Sequence, residues 1–351
     1  MSLLKLSQTV PLCAGAAILA SCGGSLQTSP LSANPTLSSY SSGSPLALVP
    51  RRSKSWMLPE AEQQPSLLYI SNSGAANVTV YTYLNGGGLL LVGTLTGFSL
   101  PTGMCSDDAG NVWIPDYGTG AIYEYQHGGT GPIATIKQHT GLPFDCAVDP
   151  KTGSLAVADQ HPNGHFQSYS DVVVFPKGSK KGTDYYPSTG FSQVFFVAYD
   201  NTSNLYADGT PCLPYGCSSR GFSGGPPALF ELSRGGSEFT QLTLGGATLN
   251  QPSAIDWVKP ILLLGDQNFQ NQGTNGAYKV FVSGSTATVV GTLPFNGTQQ
   301  TYGFWRRAGR VIVPDHTGDA VRIYSLSDGA LISTLTTEIS LPFGAVVSQA
   351  K

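Results

Sequence analysis

An all-β propeller of six four-stranded blades is the fold this sequence predicts, and three observations predict it. Glycine (43) and proline (24) are abundant in the 351 residues, while only 11% are Asp, Glu, Lys or Arg. Ordinary soluble proteins carry about 25% charged residues, and long helices or coiled coils are rich in Glu, Lys and Arg. A unit of four short strand signals recurs along the chain. An acid or amide closes the second strand of each unit, at intervals of 43 to 58 residues, the period of four-stranded blades. The same composition excludes other classes. A net charge of −3, with no basic stretch larger than the small cluster Arg51, Arg52 and Lys54, leaves no phosphate footprint, so no nucleic-acid partner is expected. A hydrophobic fraction of 40% excludes a disordered acidic tail.

Residues 1–21 read as a signal peptide. Lys5 is followed by the apolar stretch Val10–Ala20, too short for a membrane helix of about 20 residues. Leu19-Ala20-Ser21-Cys22 resembles the bacterial lipobox. That resemblance implies acylation of Cys22 and a lipid-anchored protein of the bacterial cell envelope, facing periplasm or exterior. Cys105, Cys146, Cys212 and Cys217 would then lie in an oxidising compartment. Residues 22–65 are rich in Ser, Pro, Gly and Asn without hydrophobic periodicity, and read as a flexible tether spanning roughly 35 Å.

Residues 66–351 form the repeat. Its clearest copy, Leu100–Ile136, has strand signals at Gly103–Ser106, Val112–Pro115, Ala121–Gln126 and Pro132–Ile136, separated by Gly-, Asn- and Asp-rich turns. The recurring second-strand residues are Asn72, Asp116, Asp159, Asp208, Asp266 and Asp315. The terminal stretch Leu341–Gln349 has the pattern of a first strand, whereas Leu67 opens on a second strand. The last strand should therefore close the first blade and leave no lone sheet edge. A monomer is expected.

The pattern P-x-G-x-x-x-D-x-x-G-N-x-W-x-x-D over Pro101–Asp116 resembles the NHL-repeat propellers, which look similar to the gluconolactonase-like and streptogramin-lyase-like families. The resemblance implies a binding platform or a metal-dependent lactonase or lyase. It is specific for architecture and weak for activity.

Several residues are candidates for chemistry. The six recurring residues form a ring expected near the channel mouth. Six similar copies suit a structural role, accepting turn amides, better than a catalytic one. Under the enzyme alternative such a ring would hold Ca²⁺ or Mg²⁺. Between second and third strands, three consecutive units have long segments, Gln160–Ser170, Gly209–Pro227 and Gln267–Gly276, with one formal charge, Arg220. They offer His161, His165, Tyr169, Tyr215, Arg220, Phe222, Asn268, Phe269 and Gln270, a surface suited to an envelope glycan or protein. No metal site is assigned there, because Pro162 and Gly164 exclude the helix that would align His161 with His165. Gly221–Gly225 matches G-x-S-x-G but lacks the strand–turn–helix context that motif needs. Cys212 and Cys217 are spaced for a loop disulfide. Cys105 and Cys146 hold equivalent positions in adjacent units and are candidates to bridge them. The expected function is a tethered binding module, with a lactonase- or lyase-like enzyme and a ligand-free scaffold as alternatives.

Overall fold

The computed structural model describes residues 54–83, 88–137, 141–165, 168–213, 217 and 224–351, without the side chains of 162–168. Cys22, the expected signal peptide and the expected tether up to residue 53 lie outside the described residues.

The chain is an all-β propeller of antiparallel meanders. The unit predicted most clearly has strands Cys105–Ser106, Val112–Asp116, Ala121–Tyr125 and Pro132–Lys137, in sequential order. Four-stranded meanders also run from Trp305 to Leu335 and from Pro252 to Pro294, the latter with Thr243–Gly245 added in parallel on its outer strand. An eight-stranded sheet divides into two meanders, Leu142–Tyr185 and Phe191–Gln241, joined by the single pair Ser170↔Phe191. The last strand, Pro342–Gln349, pairs antiparallel with Ser66–Asn72 and so closes the first blade, as the terminal pattern predicts.

The folded part starts before residue 66. Trp56–Met57 pairs with Leu91–Leu95 on the outer edge of the first blade, and Ala61 is fully buried. A two-residue strand with Pro59 after it caps an edge that would otherwise expose unpaired backbone.

Alternation along each strand sends apolar side chains to both faces, because each blade is covered on both sides by its neighbours. One core layer joins Leu67, Tyr69, Val78 and Val80 of the first blade to Val112, Ile114 and Tyr125 of the second. Trp305 packs against three such layers. Cys105 and Cys146 form a disulfide between innermost strands of adjacent blades, with Cα atoms 5.6 Å apart, and Cys212 and Cys217 form a second within one segment.

Candidate functional site

The six recurring residues are all buried, so none opens to solvent at a channel mouth. Four of them tie the incoming linker to the end of the second strand. Asp116 accepts the N–H groups of Ser99 (3.0 Å) and Leu100 (2.6 Å) and the Thr119 hydroxyl. Asp266 accepts those of Asn250, Gln251 and Asn268. Asp315 accepts those of Gln299 and Gln300 and pairs with Arg322. Asn72 Oδ1 accepts Ser340 N–H. Linker amides have no ladder partner, and one carboxylate satisfies two of them. The carboxylate thus reaches back to the linker as well as closing its own turn. Asp116→Ala should lower stability by about 1–3 kcal/mol without changing ligand affinity, as read from denaturant midpoints and binding isotherms.

Two positions depart from this pattern. Asp208 accepts Phe196 N–H, inside the first strand of its own blade, which bulges between Val194 and Val197. Its Oδ2 has no hydrogen-bond partner. Burial drives its carboxyl well above the usual range; the Phe196 amide opposes this, and nearby Asp145 adds to it. Asp159 faces Asp171 directly across the strand pair, with His161 Nε2 2.9 Å from Asp171 and 3.6 Å from Asp159. Burial, then the Asp171 charge, raise Asp159 well above its ordinary value.

Two of the three long segments are largely paired as strands, and most of the third lies outside the described residues. Strands Leu155–His165 and Ser168–Phe175 pair regularly to Gln160↔Ser170 and, after a register shift, once more at His165↔Ser168. His161 is buried and Tyr169 half-buried. Neither therefore belongs to an exposed binding loop. His165 lies in the first of these strands, its side chain outside the described residues. In the next long hairpin, Phe269 is 4% exposed and packs on Tyr278 with ring centroids 4.9 Å apart. A Cβ at Gly276 would meet that ring at 2.7 Å, which accounts for glycine there. Asn268 Oδ1 accepts Gly273 N–H and so holds the turn. Of this hairpin's three candidates only Gln270 is exposed, at φ 56°. Phe269 and Asn268 build the hairpin rather than a recognition surface. Tyr215, Arg220 and Phe222 lie outside the described residues.

On this face the channel axis is filled. Phe144 lies 5.1 Å from Phe343, 5.5 Å from Phe196 and 6.2 Å from Tyr117, and Tyr302 stacks on Phe343 at 4.6 Å. Residues directly after the recurring positions surround this plug. Tyr117 donates its hydroxyl to Gln160 (3.4 Å), Gln300 bonds Tyr302, and His316 packs on Tyr302 at 5.0 Å. Aromatics and amides thus cap this end of the channel.

The opposite face is open. Innermost strands of all the meanders line a cavity of about 110 Å³ that includes Asp145, Asp256 and Trp305. It shares Ser106, Val148, Tyr199, Asp256 and Trp305 with a basin of about 800 Å³, where the turns between first and second strands lie. Three of the four tryptophans, Trp113, Trp257 and Trp305, line the basin, each half-buried. Trp257 stacks on Tyr206, and its indole N–H is buried without a partner. Asp256 pairs with Arg306 at 3.5 Å. Burial pushes Asp256 up to about 6, against the opposing pull of Arg306. Asp107, Asp149 and Asp200, also at the basin, are occupied by turn amides: Asp107 by Ala109 and Asn111, Asp149 by Lys151, and Asp200 by Thr202 and Asn204. Sequence reading missed this face because its turns look purely structural. The available signal was tryptophan in or beside innermost strands.

No family model matches the chain. Peptidyl-glycine alpha-amidating monooxygenase A of Xenopus laevis is 30% identical over 87 residues, 22% of this chain. The chain spans only 9% of that protein. Among solved structures, a chain of a nidogen/laminin complex superposes with a TM-score of 0.60 at 14% identity, over 82% of this chain and 99% of that one. A gluconolactonase of Xanthomonas campestris gives a TM-score of 0.55 at 11% identity, over 77% and 82%. At such identities the likeness is one of fold.

Proposed function

We propose that the chain is a six-bladed propeller acting as a glycan-binding module, with its ligand site in the tryptophan-lined basin. Counting the halves of the eight-stranded sheet separately gives the six blades. The observation that carries the reading is the basin itself: three half-buried indoles around a hollow of about 800 Å³. Indole faces stack on the apolar faces of sugar rings, and the amides, hydroxyls and carboxylates of the same lining can meet sugar hydroxyls. The lining holds six acids and six bases, so net charge selects neither an anion nor a cation. Cys22, acylated, and the tether that follows it, up to the edge strand at Trp56, would hold the module at the bacterial envelope. Radiolabelled palmitate incorporation that disappears in Cys22→Ser tests that part.

Titrating neutral oligosaccharides while following tryptophan emission tests the site. A saturable change is expected for at least one glycan, weakened by about 1–3 kcal/mol in Trp257→Ala. Calorimetry showing equal affinity in that variant would remove the basin from the proposal. A second reading, a lactonase-like enzyme, is favoured by one observation. Asp145 and Asp256 both line the cavity, and burial raises them to about 7 and about 6, within the working range of a general acid or base. Lactone hydrolysis by the wild type that is lost in Asp256→Asn would select it over pure binding.

A further inference from the structure

We infer that Asp159, His161 and Asp171 form a binding site for one divalent transition-metal cation of the Zn²⁺ type. The argument starts from strand register. Asp159 and Asp171 are direct partners across the second and third strands of their blade, and like charges so placed repel. His161 is two residues beyond Asp159 on the same strand, hence on the same face. The three ligand atoms lie within 4.8 Å of one another, the one such trio among the described residues. All three side chains are nine-tenths buried or more. Tetrahedral ligands about 2.0–2.2 Å from a metal stand about 3.3–3.6 Å apart; the 3.6 Å between Asp159 and His161 matches this, and the 2.9 Å His161–Asp171 hydrogen bond would open by a few tenths of an ångström on binding.

A second, independent observation points to an ion. Asp159 Oδ1 and Asp171 Oδ1 are buried without any hydrogen-bond partner. The equivalent carboxylates of Asp116, Asp266 and Asp315 instead accept two linker amides each. Buried carboxylate oxygens demand a compensating donor or cation. Two ways remain to neutralise the trio, a proton on Asp159 or a divalent ion, and the melting test below separates them. An imidazolium brings one positive charge to two carboxylates and leaves a net negative charge in the core. A divalent ion on a neutral imidazole and two carboxylates leaves none. Two carboxylates and one imidazole are a donor set that suits Zn²⁺. The ion would pin the long hairpin of this blade at its base, away from the basin, so the inference stands apart from the glycan reading.

The test uses tag-free full chain, stripped with chelator and then titrated with Zn²⁺. Calorimetry should show one equivalent bound, with affinity reduced roughly tenfold or more in Asp171→Asn and in His161→Gln. Thermal melting gives a sign test. In chelator, Asp171→Asn should melt at or above the wild type, because it relieves the carboxylate repulsion. With Zn²⁺ present the wild type should melt higher, because a ligand of the folded state stabilises it. No Zn²⁺ binding by the wild type, or equal binding by both variants, overturns the site. So does an Asp171→Asn protein that melts lower than the wild type in chelator or fails to fold, the outcome expected of a protonated, metal-free ion triad.

Discussion

Replacing both Cys105 and Cys146 with Ala is expected to lower unfolding free energy by about 4 kcal/mol, read as a shift of the denaturant midpoint. The bond closes a loop with a sequence separation of 41, and the chain-entropy estimate for such a loop gives this size. Local structure makes the bond more than a staple. The first strand of its blade is only Cys105–Ser106, held to its neighbour by the pairs Cys105↔Trp113 and Ser106↔Val112. The disulfide fixes this short strand to the longer Leu142–Val148 of the next blade, beside the cavity. Both sulfur-bearing residues are buried, so reductant should act on the native protein slowly and on the unfolded protein fast. A double variant with an unchanged midpoint would show that ladder and core packing suffice.

Asp145→Asn is expected to stabilise the protein at pH 8 relative to pH 5, compared with the wild type, by about 2–3 kcal/mol. Burial raises Asp145 from 3.8 to about 7, and the Val197 and Cys146 amides only partly offset it. The folded state therefore binds the proton more tightly than the unfolded chain. Stability falls as pH rises from about 4 through about 7, and the full penalty is present above that. Asp208 shifts in the same direction. His127 and His316 are lowered by burial and act in the opposite sense below about pH 6.5, so the difference between wild type and variant is the informative quantity. Melting curves at both pH values measure it. Parallel pH dependence in the two proteins would show that Asp145 ionises normally.

Much of the fold was legible because its signals are local. The turn segments of Leu100–Ile136 predicted four strands, and the observed strands differ from them by one or two residues, most at Cys105. The spacing of Asn72 through Asp315 marked the second strand of each unit, which ends at the marker for Asn72, Asp116 and Asp315 and runs on to His165, Pro211 and Phe269 in the other three; Leu341–Gln349 showed its partnership with Leu67 by resembling other first strands. The start of the folded part was less legible. A two-residue strand at Trp56 has no periodicity to read, and only its contact with Leu91–Leu95 reveals it. Long segments between strands were legible as length but not as conformation. Phe269 and His161 look like recognition residues in sequence, yet each packs inward once its hairpin extends the ladder.

The sequence by itself determined the repeat and the closure of first blade by last strand, and made the cysteine pairs candidates that the structure bonds, because turn chemistry, alternation and equivalent positions act over a few residues or recur at a fixed interval. Tertiary structure alone decided which end of the channel is open. Phe144, Phe343 and Tyr302 come from distant parts of the chain and meet at the axis, while Ala147, Ala254 and Ala345 leave the space beneath them. It also decided that Asp159 opposes Asp171. A one-residue slip in register would send one carboxylate to the other face of the sheet, so that pairing depends on how the strands lock together and not on either strand alone.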